Sequence, residues 1–385
     1  MDHSYLKRSE AVDEIARGDE KKDWNGGPRM FRLGERVMSL WNLKQRVRRV
    51  SNRFRSKALI LLYHRAADAE IDPQLLSVSP QNLSRHFEHL SKHYKVISLD
   101  DLANARLNRD GIPDRTVAVT FDDGYADNLA VAKPLLDRFQ IPSTVFVAGG
   151  TREQDHEFWW DELERIFLYP SRLPSALHLD IGAVSYTRDL AASARYTHDE
   201  FARHRTWNVL HRESPTARHG VYRDLCVILR QESPAQRRTA MNAIRSWSGL
   251  GTTVQPIHRT LSPDEIKELG SGGFVQVGAH AVSHAALSTL TPGEQLAEIC
   301  DSRDRLTSIL GEPPGSFAYP FGSKTDYTAD TVDAVRSAGF KLACSNFPDV
   351  VTGSVDRYQL PRMVVRNWSQ ETFAQMVERW FQGRV

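Results

Sequence analysis

The chain of 385 residues has only three cysteines, Cys226, Cys300 and Cys344, widely separated and forming no C-x-x-C pair. That argues against a disulfide framework and against a thiolate zinc site, and all three read as small buried residues. Long apolar runs are also missing. None approaches the roughly 18 residues that span a bilayer. The opening MDHSYLKRSEAVDEIARGDEKK lacks the apolar core of a secretory signal, so a cytoplasmic protein is the expectation. Charge of one sign is absent too: 50 Lys and Arg against 48 Asp and Glu leave +2, which argues neither for nor against a nucleic-acid partner. Aromatic residues do not interleave with basic ones as a nucleic-acid face requires, so no nucleic-acid partner is expected. There is no internal repeat and no low-complexity tract. What is present, 41% apolar and 25% charged residues, is the composition of a globular protein of one large domain or two ordinary ones.

Residues 1–57 form a charged N-terminal extension. Within 35–57, Met38, Leu40, Trp41, Leu43, Val47, Val50 and Phe54 recur at helical spacing among arginines and lysines. Such a basic amphipathic helix either lies peripherally on an anionic membrane, at its inner face, or packs on the main domain with its basic side in water. From residue 58, buried strands alternate with helices: ALILLY (58–63), a helix opening at Ser79-Pro80, a short strand at Lys95–Leu99, Thr116–Val119, a helix near 127–139, and Ser143–Val147. The rhythm breaks over 151–262, which is mostly helical in pattern with one strand near Leu177–Tyr186. It resumes with Phe274–Gly278, Ser316–Tyr319 and Phe340–Cys344, and closes on a helix over 370–382. Strand–helix alternation predicts an α/β fold with a parallel sheet over 58–385, interrupted by the insertion.

Two strand ends collect the chemistry. Thr120-Phe121-Asp122-Asp123-Gly124-Tyr125 places adjacent carboxylates at the end of a buried strand, and a loop starting within the pair can aim both into one cleft. Two close, buried anions repel, and a cation relieves both the repulsion and the desolvation. Candidate partners are His280 and His284, four apart, directly after the strand 274–278. Two imidazoles and a carboxylate suit Zn²⁺ or a similar divalent ion. One of Asp122 and Asp123 then neutralises the cation, while the other stays free to accept a proton from a water acidified by it. Breaking an amide also needs an acid for the leaving nitrogen, and a histidine at another strand end, such as His64, suits that role.

These motifs resemble the polysaccharide deacetylases of the carbohydrate esterase type, the NodB homology family. TFDDGY resembles the family's first motif. GAHAVSHAAL resembles its second, with Ala281 where Ser or Thr is usual, and FAYPFG (317–322) resembles its third, with Ala318 in place of the usual Arg. Together with IPSTVFVAGG, the resemblance covers 58–150 and 262–368. It implies a distorted (β/α)7 TIM-like barrel and a divalent metal, Zn²⁺ first with Co²⁺, Ni²⁺ or Mn²⁺ as alternatives. It further implies Asp123, His280 and His284 as metal ligands, Asp122 as general base, and the Phe321 N–H as an oxyanion donor. The family's late Leu-x-His acid motif is absent after residue 322. LLYH resembles a branch that places the acid on the N-terminal strand, hence His64, and Leu360-Pro361-Arg362 resembles that branch's later motif, so Arg362 would hold Asp122 ionised. WWDE (159–162) superficially resembles the Asp/Trp motif but opens the insertion, and its tryptophans either line a sugar groove or anchor the insertion, anchoring being the first expectation. The implied activity is metal-dependent removal of an N-acetyl or similar acyl group from an amino sugar in a polysaccharide, oligosaccharide or glycan precursor. The alternatives are deformylation of a lipid- or nucleotide-linked sugar and an inactive glycan-binding scaffold.

Overall fold

The computed structural model describes residues 57–105, 111–149, 157–251 and 253–384. The amphipathic stretch 35–57 therefore lies outside the described residues, apart from Lys57. The apolar runs form the expected strands: β1 (Ala58–Tyr63), β2 (Lys95–Val96), β3 (Thr116–Phe121) and β4 (Ser143–Val147). β1, β3 and β4 are buried along their whole length, as strands covered on both faces must be. The covering helices start on sequence-encoded caps. Ser79 accepts from the Asn82 N–H ahead of helix Pro80–His93, which turns Leu83, Phe87 and Leu90 inward. Ser262 and Glu265 form a capping box at helix Pro263–Gly270.

The insertion has its own apolar cluster, including Leu163, Phe167, Leu177, Tyr222, Leu225 and Ile244. Four helices supply most of it: Trp159–Phe167, His198–His204, Ala217–Arg230 and Pro234–Ser248. The expectation of a single strand is corrected. β5 (Ser171–Arg172) pairs with β8 (Arg195–Tyr196), and β6 (Ala176–Ile181) forms an antiparallel hairpin with β7 (Val184–Asp189). The hairpin turns at Gly182, with φ +56°. β7 buries only Tyr186, so its sequence carries no apolar alternation to announce it. Of the cysteines, only Cys344 is buried, and Cys226 and Cys300 are partly exposed.

After the insertion come β9 (Val275–Ala279), β10 (Ser316–Ala318), β11 (Leu342–Cys344) and β12 (Met363–Val364). Seven parallel strands run in the order β11-β10-β9-β4-β3-β1-β12, with β2 paired to the start of β3. The parallel sheet curls as a half-barrel with helices around it, in line with the (β/α) barrel expected. Its two edges are joined by one short segment. Leu360 exchanges bonds with β11, its N–H donating to Ala343 O and its carbonyl accepting from Ser345 N–H, both at 2.9 Å. Met363 then pairs with Leu61 of β1. The residue carried between the two edges is Arg362, fully buried.

Candidate active site

β3 ends by extending its ladder with β1: the Asp122 N–H donates to Tyr63 O at 3.0 Å. Asp123 and Gly124 then both take φ +75°. Asp tolerates the left-handed region better than most residues, and Gly enters it freely. This turn breaks the strand's alternation, so both carboxylates reach the same cluster of partners, each 3% exposed. A Cβ at Gly124 would come within 3.0 Å of the Val147 side chain, so the position demands glycine on space as well as on φ.

Asp122 is gripped by Arg362. Its Oδ1 and Oδ2 accept from the two terminal guanidinium nitrogens at 2.7 and 2.6 Å. Arg362 is itself oriented by donating through Nε to Ser345 O at 2.8 Å and through Nη1 to Thr120 Oγ1 at 3.3 Å. Burial favours the neutral acid, but Arg362 with help from His280 outweighs it and holds the Asp122 carboxyl below its ordinary range. The bidentate pair is the strong form of the interaction.

His280 follows β9 directly. Its Nδ1 lies 2.7 Å from Ala318 O. A carbonyl only accepts, so Nδ1 carries the hydrogen, which in the neutral form of the ring leaves the Nε2 lone pair aimed at the carboxylates. Nε2 is 3.5 Å from Asp123 Oδ1 and 3.8 Å from Asp122 Oδ2, and His284 Nε2 is 3.2 Å from the same Asp123 Oδ1. Ligand atoms of Asp123, His280 and His284 all lie within 4.8 Å of one another, and all three residues are buried. Lone pairs of neutral imidazoles facing a carboxylate repel unless a proton or cation sits among them, so this donor set fits a divalent ion. Burial opposes ionising these groups. The histidines nonetheless hold Asp123 well below the carboxylate range, and Asp122 and Asp123 raise His280, whereas burial dominates at His284 and lowers it. The segment between the two histidines is a loop and not a helical turn, with Ala281 at φ +59° and His284 at φ +50°.

His64 sits at the end of β1, half-buried, where burial lowers its pKa and the charges of Asp123 and Asp122 pull the other way. Phe321 follows β10 with φ +59°, and its ring stands edge-on to His284 at 4.7 Å between centroids. Its N–H donates to no protein group among the described residues. All the sequence-nominated residues therefore gather at one end of the sheet.

The two tryptophans part company. Trp159 packs on the insertion's own cluster, as expected. Trp160 instead lies against His284, with centroids 4.9 Å apart, and against Phe321 at 6.2 Å. Its Nε1–H donates to Tyr125 OH at 3.1 Å, and Tyr125 donates to Asp161 Oδ2 at 2.8 Å. Neighbouring helical residues point about 100° apart, so one can anchor while the next walls the site. Nothing in WWDE alone says which.

A second group, Asp161, Glu164 and His258, also brings potential ligand atoms together. Its cations are already in place. The buried Arg65 guanidinium lies 3.9 Å from Asp161, and His258 lies 3.2 Å from Glu164 and 3.5 Å from Glu157. Burial opposes protonating His258, but Glu157 and Glu164 push it up to about 9. This is a charge-paired network tying the insertion's first helix to the barrel.

Residues 109–171 and 237–343 match the family model for polysaccharide deacetylases. Over those 170 of its 385 residues the chain resembles this family. The match passes over 172–236, inside the insertion. YxkH of Bacillus subtilis (strain 168), a protein named for the same family, is 25% identical over 116 residues, 30% of this chain and 40% of that protein. The Streptococcus pyogenes deacetylase PplD, solved in complex with acetate, superposes with a TM-score of 0.51 at 17% identity, over 84% of this chain and 99% of that one. The polysaccharide deacetylase barrel is therefore the fold of this chain.

Proposed function

We propose that this chain is a polysaccharide-deacetylase-type, metal-dependent hydrolase that removes an acetyl group from the nitrogen of an N-acetylated amino sugar. The observation that carries the reading is a single oxygen, Asp123 Oδ1, within 3.2 and 3.5 Å of two imidazole Nε2 atoms, beside an Asp122 locked to Arg362. Asp123, His280 and His284 would hold the ion. A bound divalent cation, zinc in the first instance, supplies polarisation of the acyl carbonyl and acidification of the attacking water.

The chain's own groups do the rest. Asp122, kept ionised by Arg362, takes a proton from the water as its oxygen adds to the acyl carbon. The Phe321 N–H, with no protein acceptor among the described residues, donates to the oxyanion that develops. His64 gives a proton to the nitrogen as the C–N bond breaks, leaving acetate and a free amino sugar. Arg362 stands in for the arginine missing at Ala318, while the Ala318 carbonyl orients His280. PplD was solved with acetate, the product this reaction releases.

The test is an acetate-release assay on free, oligomeric, nucleotide-linked and lipid-linked N-acetylhexosamines. We expect release from at least one class, its loss on chelation and its return with zinc. No release from any class, or full activity in chelator, contradicts the proposal.

A further inference from the structure

The loop that carries both histidines is strained, and its strain is met from two sides. Two non-glycine residues in a five-residue loop, Ala281 and His284, hold positive φ, a conformation that persists only where the surroundings over-determine it. The surroundings do so one peptide group at a time. The His280 N–H donates to Val147 O at 3.1 Å, and Ala281 O accepts from Gly149 N–H at 3.0 Å. The Val282 and Ser283 N–H groups both donate to one oxygen, Glu298 Oε2, at 2.8 Å. Ser283 O accepts from Arg237 Nη2 at 2.9 Å. Ser283 is thus held by a carboxylate at its N–H and by a guanidinium at its C=O.

Glu298 belongs to the barrel helix Pro292–Leu310, and Arg237 to the insertion helix Pro234–Ser248. Seven residues before Arg237, across the turn between two insertion helices, Arg230 grips the other site loop. Its Nη2 reaches both Asp326 carboxylate oxygens at 2.7 and 2.8 Å, while Asp326 accepts from Ser323 N–H at 2.7 Å. The same guanidinium lies over the Phe321 ring at 4.4 Å. One corner of the insertion therefore reaches both the His280–His284 loop and the Phe321–Asp326 loop.

We infer that the insertion braces the metal loop: Arg237, opposed by Glu298, sets His280 and His284 for the ion. Both are positioning residues. The inference rests on the reading that Asp123, His280 and His284 bind a metal. Groups that orient ligands are typically worth about 10–100-fold in metal affinity. The test measures zinc affinity of the full chain by competition with a chelating dye, alongside the melting of the metal-free protein. Arg237→Met and Glu298→Ala should each weaken zinc roughly 10–100-fold, while the metal-free protein still melts cooperatively. Glu298→Gln, which keeps an acceptor oxygen, should recover most of the loss. Arg238→Met, on the exposed side of the same turn, should bind like the wild type. If Arg237→Met fails to fold, the Glu298 pair decides from the barrel side. Unchanged zinc affinity in folded Arg237→Met, or in Glu298→Ala, overturns the brace alone. A wild-type chain that takes up no zinc overturns the metal reading and the brace with it.

Discussion

Asp122→Asn should release acetate about 10²–10⁴-fold more slowly than the wild type and keep its full complement of metal. The separation follows from the geometry. Asp123 Oδ1 lies 3.2 and 3.5 Å from the two Nε2 atoms, whereas the nearest approach of Asp122 to either histidine is 3.8 Å and both its oxygens are taken up by Arg362. Asparagine keeps an acceptor for Arg362 but cannot take a proton at neutral pH, so chemistry fails while the ligand set stands. Rates are compared per metal-loaded, folded molecule, because the substitution also leaves Arg362 without its counter-charge. Loss of metal in step with loss of activity would refute the division of labour between the two aspartates.

Arg362→Met should be costly in two ways. Removing one partner of a buried ion pair leaves the other charge uncompensated, and Asp122 and Arg362 are 3% and 0% exposed, so destabilisation near neutral pH should be about 3–5 kcal/mol. The pH dependence has a definite sign. In the wild type the lowered Asp122 pKa contributes stability that is present above the ordinary aspartate value and lost as pH falls through the lowered one. Without the guanidinium, burial is the largest remaining influence and raises that pKa. The variant is then handicapped most at neutral pH and least in acid, where a protonated Asp122 sheds its buried charge. Denaturant unfolding at a series of pH values should show the gap to wild type narrowing as pH falls, and the acid limb of kcat/KM should move to higher pH. A gap independent of pH would detach Arg362 from Asp122.

Much of this site was legible because its residues sit where apolar runs end. ALILLY, TVAVTF and Phe274–Gly278 read as buried strands, which puts His64, Asp122, Asp123 and His280 at strand ends of one parallel sheet; that these ends meet rested on the need of two close carboxylates for a cation and on the family resemblance. Arg362 was found by the resemblance of Leu360-Pro361-Arg362 and not by pattern. β12 is two residues long and exists only because β1 offers it an edge. The hairpin's second strand was hidden by its exposed, polar face. Trp160, Arg237 and Glu298 carry no local signal: a tryptophan in a helix, an arginine in a helix and a glutamate in a helix acquire their roles from what tertiary packing sets opposite them. Their partners His284 and Ser283 lie up to 124 positions away in sequence from Trp160 and 46 from Arg237.

The most direct measurement is anomalous diffraction at the zinc edge from crystals of the zinc-loaded chain. A peak bounded by Asp123 and the two imidazoles of His280 and His284, at about 2.0–2.2 Å from each ligand atom, is the expected result. A peak among Asp161, Glu164 and His258 instead, or none near Asp123, would contradict it.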